Sequence, residues 1–145
     1  MNTSPEFHWS CPHTWRRASV NTLWCLAGCS IGDFGTILFF QLTGIGWWTL
    51  AIMSLAIMNG ILTSIALETV VLSRQMPLTN AFRTAVGMSL ISMVAMESAM
   101  NIVDVVLTGG AVLTWWVVPI MLVAGFLTPL PYNYWRLKAL GKACH

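Results

Sequence analysis

Two cysteines and an aspartate, Cys25, Cys29 and Asp33, fall at i, i+4 and i+8 inside one long apolar stretch, W-C-L-A-G-C-S-I-G-D-F-G. On a helix that spacing lines them along one side. A second stretch, S-M-V-A-M-E-S-A-M-N-I-V-D, places Glu97, Asn101 and Asp104 at i, i+4 and i+7, with Met93 and Met100 on the same side and Met96 just off it. Thiols with thioethers favour Cu(I) or another soft ion, whereas thiol, imidazole and carboxylate together favour zinc. Magnesium and calcium would require an oxygen cage without sulfur. Taken alone, the cysteines and methionines read as packing residues. The acids alter that reading, because a carboxylate at membrane depth is costly and marks a functional site.

The ends of the chain carry a second set of donors. His8, Cys11 and His13 lie within six residues, and Cys144 and His145 close the chain. All three histidines and two of the four cysteines are therefore in the tails. Neither tail alone completes a tetrahedral site, but together they offer five candidate ligands. On a cytosolic face these thiols would be reduced, which favours metal capture over a structural disulfide.

The elements that must position these residues follow from composition. The 145 residues are 57% hydrophobic and 8% charged, against about 25% charged in soluble domains. Such a chain needs lipid to cover its apolar surface. Two long apolar spans, each broken by an uncharged turn, predict four transmembrane helices, at about 18–41, 47–73, 79–107 and 112–136. The expected architecture is an all-α integral membrane four-helix bundle, with tails at 1–17 and 137–145. Gly28 and Gly32 form a small-x3-small pair that lets a neighbouring helix come close.

Topology follows from charge. The basic residues sit at Arg16 and Arg17, at Arg74 and Arg83, and at Arg136, Lys138 and Lys142. An even number of spans puts all seven on one face, which the positive-inside rule makes cytoplasmic, with both termini there. Trp47, Trp48, Trp115 and Trp116 mark the opposite interface, and Trp15, Tyr132, Tyr134 and Trp135 the cytoplasmic one. Helix 1 lacks a small-residue cleavage site and is expected to be retained.

Four of the five acids, Asp33, Glu68, Glu97 and Asp104, fall in the spans, with no basic residue at depth to pair with them. Their charge must be met by protons, a cation or solvent. At 1.5 Å per residue, Glu68 and Cys25 lie about 9–12 Å from the cytoplasmic end, Cys29, Ser64 and Met93 about 15–18 Å, and Glu97, Asp33 and Met100 about 21–25 Å. Asp104 falls near the outer end. Bis-His haem ligation, phosphate-binding loops, nucleophile elbows and nucleic-acid patches have no counterpart in this pattern.

The segments N-x2-W-C-L-x-G-C-S-x-G-D and P-Y-N-Y-W-R-L-K…G-K-A-C-H resemble a family of small prokaryotic four-helix membrane proteins, a domain of unknown function. The resemblance implies that Cys25, Cys29, Asp33, Cys144 and His145 belong to a shared pattern; it implies no activity.

The residues thus lead to an expected function: a non-enzymatic, multi-pass protein of the prokaryotic inner membrane that binds copper(I), or zinc, and transports or delivers it. Cys25, Cys29, Asp33, Met93, Met96, Glu97 and Met100 would hold the ion in the bundle. His8, Cys11, His13, Cys144 and His145 would hold it at the tails, while Glu68, Glu97 and Asp104 balance charge or carry protons. Lipid and metal are the expected partners, with a homodimer or larger membrane complex and no nucleic acid. Two alternatives accompany this reading. One is a structural or assembly subunit of a membrane complex. The other is a four-helix thiol oxidoreductase, which would need a second reactive pair.

Overall fold

The computed structural model describes residues 9–139, the side chains of residues 88, 89 and 139 excepted. It is helical, with five helices and no strand among the described residues: α1 (Pro12–Thr43), α2 (Thr49–Ser73), α3 (Leu78–Thr108), α4 (Val118–Leu127) and α5 (Leu130–Ala139). Three segments, Pro12–Thr43, Thr49–Ser73 and Leu90–Thr108, are long and apolar enough to cross a membrane. The surface agrees: Leu50, Leu62, Ile91, Ile102, Val106 and Val123 face outward while Asp33, Ser64, Glu97 and Asn101 are buried. Hydrocarbon is the surrounding that tolerates this inversion.

Helix ends follow local chemistry. Pro12 occupies the first turn of α1, where its missing N–H costs nothing. The helix thus begins six residues before the expected span and takes in His13, Arg16 and Arg17. At the other end Gly44 adopts φ +66°, and its N–H returns to the Phe40 carbonyl. Gly109 ends α3 in the same way, with φ +78° and its N–H on Val105.

The expected fourth helix, 112–136, does not form as one element. Residues 109–117 make a loop, and two ten-residue helices follow. Each is about 15 Å long, half a bilayer. Pro129 has no N–H for the Gly125 carbonyl and Pro131 none for Leu127, so the helical ladder lapses twice within three residues. α4 packs on α3 while α5 turns back onto the start of α1.

The tightest pairing joins α1 to α2. A Cβ at Gly28 would come 2.7 Å from the Ser64 Cα, and one at Gly32 would strike the Asn59 main chain. The small-x3-small pair therefore acts as expected. Close approach brings polar groups within reach: Thr63 Oγ1 donates to the Gly28 carbonyl at 2.6 Å, and Asn59 Nδ2 donates to Thr36 Oγ1 at 2.8 Å.

At the α5 end, Asn133 Nδ2 donates to Thr22 Oγ1 at 2.8 Å. Tyr134, expected in the interfacial belt, is instead fully buried against Ala18 and Leu137, with Trp15 at 4.3 Å and Trp9 at 5.2 Å between ring centroids. Its hydroxyl accepts from the Cys11 N–H at 3.3 Å. The return of α5 onto α1 takes Tyr134 out of the interface; Trp47, Trp48, Trp115 and Trp116 remain exposed.

Two glycine variants separate packing from helix propensity. Gly32→Ala should lower stability by about 1–3 kcal/mol, the cost of overpacking a filled contact. Gly35→Ala, with nothing within 4 Å of the new Cβ, should be neutral or stabilising by up to about 1 kcal/mol. Reversible unfolding in mild detergent measures both, and equal effects would contradict the close approach.

Candidate functional site

The core of the molecule is built of sulfur. Cys25 and Cys29 of α1, Met93, Met96 and Met100 of α3 and Met121 of α4 form one contiguous buried cluster with Leu26 and Val117. Helical spacing explains the geometry. Cys25 and Cys29 stack one turn apart, and Met93, Met96 and Met100 follow at i, i+3 and i+7. Gly125 lets α4 close over them, since a Cβ there would lie 2.7 Å from the Met100 sulfur and 3.2 Å from Leu26. Both cysteines are free thiols. The Cys29 thiol sits within reach of both the Cys25 thiol and the Glu97 carboxyl.

Ser64 ties this cluster to α2. Its hydroxyl donates to the Cys25 carbonyl at 3.2 Å and lies 3.5 Å from the Cys25 sulfur. Ser64 therefore sits one turn closer to the start of α1 than counting along the sequence suggests. The two thiols differ in access. Cys29 is fully buried, whereas Cys25 is 9% exposed and forms part of a cleft of about 90 Å³ between α1 and α2, with Trp24, Leu67 and Glu68.

Above the thiols lie the acids. Glu97 is fully buried, its carboxyl set over Gly60, where a Cβ would collide with Oε1. Glycine at position 60 is what makes room for it. Asn101, one turn along α3, donates to Asp33 Oδ1 at 3.1 Å and to the Glu97 carbonyl at 3.0 Å. Asp33 and Asn101 are buried with Glu97. Asp104 stands apart: Oδ2 accepts from the Val112 N–H at 3.1 Å and Oδ1 from the Thr108 hydroxyl at 3.2 Å, fastening the loop after α3. Gln41 fastens the same loop, accepting from the Leu113 N–H at 3.1 Å.

The structure thus brings together Cys25, Cys29, Met93, Met96 and Met100, with Glu97 beside Cys29 and Asp33 joined through Asn101. Glu68 meets Cys25 at the cleft, and Asp104 is engaged at the loop after α3. Of the tail ligands, His8, Cys144 and His145 lie outside the described residues. Cys11, expected as a reduced metal ligand, is instead disulfide-bonded, which takes its sulfur out of the donor set; it stands at the N-cap of α1, and His13 lines a surface recess with Arg16 and Arg17. Among the described residues, no three of His, Cys, Asp and Glu converge to hold a metal ion.

Sequence reasoning missed two residues. Met121 completes the sulfur cluster, and its signal was a lone methionine one turn before Gly125 in an apolar run. Arg136 was read as a topology signal. Its guanidinium reaches inward to within electrostatic range of Cys25, with Nε and Nη1 buried and lacking a hydrogen-bond partner among the described residues. One cation therefore does approach the polar core.

The chain belongs to the family described as Domain of unknown function (DUF4396), which it matches over residues 14–142. No curated protein and no solved structure matches it.

The unequal burial of the thiols has a direct consequence. In the folded protein a small maleimide should alkylate Cys25 several-fold faster than Cys29, read by peptide mass spectrometry. Equal rates would contradict the cleft.

Proposed function

We propose that this protein is a non-catalytic membrane carrier or chaperone for a soft monovalent metal, Cu(I) by preference, bound in the sulfur cluster. The observation that carries the proposal is the burial of two free thiols and four thioethers in one contiguous core. Sulfur donors select Cu(I) among biological cations, and thioethers add neutral ligands that cost no charge in a medium of low dielectric. Cys25 and Cys29 would be the principal ligands, completed by whichever of Met93, Met96, Met100 and Met121 turn their sulfurs to the ion. Imidazoles and carboxylates are not needed for this donor set. Zinc, which asks for four harder ligands, fits less well.

The cleft beside Cys25 offers a way in, with Glu68 at its wall to attract a cation. The clustering of Lys and Arg favours placing this end of the bundle on the cytoplasmic side of a prokaryotic inner membrane, with α4 and α5 completing a broken fourth crossing. On that topology His8 and His145 would exchange the ion with the interior.

Titration of the purified, reduced protein with Cu(I) or Ag(I) tests the reading. About one tightly held ion per chain is expected, lost in the Cys25→Ser/Cys29→Ser double variant. Met96→Leu and Met121→Leu conserve volume and should weaken binding without changing its stoichiometry. A metal-free protein, or one whose binding ignores Cys25 and Cys29, would overturn the assignment in favour of a structural subunit.

A further inference from the structure

Beside the sulfur cluster lies a second group of donors of the opposite chemical character. Neither Glu97 Oε1 nor Oε2 accepts a hydrogen bond from any described N–H or O–H, and the same holds for Asp33 Oδ2 and Asn101 Oδ1. These four oxygens belong to side chains that are at most 1% exposed. Asn101 is the informative member because it is not an acid. Its amide nitrogen is committed twice, to Asp33 Oδ1 and to the Glu97 carbonyl, which fixes the side chain and leaves its carbonyl oxygen without a donor. Burying one such acceptor unsatisfied is costly, and a charged one costs more. Four such oxygens, on three side chains that the Asn101 amide ties together, are not a packing accident. They are a set of acceptors waiting for something positive.

The charged and titratable groups around Glu97 are Asp33, Cys25 and Cys29, all on α1; Asp104 of α3 adds a further negative group near Asp33. α2 presents the bare Gly60, and the α4 residue in this core is Met121. None of these is a cation. Arg136 acts at Cys25, at the other end of the cluster.

We propose that Glu97, Asp33 and Asn101 form an all-oxygen site for a hard monovalent metal cation, a sodium ion, distinct from the sulfur cluster and set towards α2 at Gly60. Divalent ions fit poorly: calcium takes six to eight oxygens and magnesium a nearly regular octahedron with retained waters, more than these three side chains supply. The proposal stands whether or not the sulfur cluster takes a metal.

The test is the thermal midpoint of the full chain in mild detergent, in sodium against potassium chloride at equal ionic strength and fixed pH. A ligand bound only by the folded state raises the midpoint. The midpoint should be higher in sodium than in potassium by about 3 °C or more. Glu97→Gln and Asp33→Asn, which keep shape and remove charge, should abolish the difference, and Asp104→Asn, at a carboxylate held by the loop, should retain it. Two variants are specified so that failure of one to fold leaves the other decisive. A wild-type midpoint that is the same in the two salts, or a difference that survives in Asp33→Asn and Glu97→Gln, would overturn the site.

Discussion

A polar side chain on a helix surrounded by hydrocarbon has one direction open to it, inward, and the remaining features of this protein follow from that constraint. Interiors made this way must supply their own partners. α1 and α2 do so by bringing their backbones together at Gly28, Gly32 and Gly60. The contact lets Thr63, Asn59 and Ser64 bond directly to α1, and it opens the space over Gly60 that Glu97 fills. The glycines that pack the helices thus also admit the carboxyl group.

The interior so formed is divided by chemistry. Sulfur fills the region between α1, α3 and α4, and oxygen fills the junction of α1, α2 and α3. Cys29 touches both, with the Cys25 thiol on one side and the Glu97 carboxyl on the other. A soft cation and a hard one would then occupy neighbouring but different sites, each repelling the other's charge across one residue. The cleft at Cys25 and the disposition of Glu68 and Arg136 give the sulfur site an approach from one end.

How much of this was legible beforehand depended on whether the signal was local. The stripes Cys25–Cys29–Asp33 and Glu97–Asn101–Asp104 follow from helical periodicity alone, and so does their inward direction, because lipid rejects them. Gly28 and Gly32 announced the close approach. Pro129 and Pro131 stand in the sequence where the helix over 112–136 breaks, but the consequence of that break is not written there: α5 swings back onto Ala18 and buries Tyr134, a tertiary outcome that no periodicity encodes. The role of Asp104 was hidden for a similar reason. Its partner, the Val112 N–H, lies eight residues on and across a turn set by Gly109. Arg136 and Met121 join the core only once the short helices are placed, and counting along the sequence put Ser64 one turn away from its partner.

The central claim is that the buried sulfurs, and not oxygen or nitrogen donors, hold the ion. X-ray absorption at the copper edge, on full-length protein loaded with Cu(I) under reducing conditions, addresses it directly. The account predicts a first shell of sulfur alone, with Cys25→Ser/Cys29→Ser removing the thiolate distances. A shell containing nitrogen or oxygen, unchanged in that variant, would place the ion elsewhere and contradict the assignment.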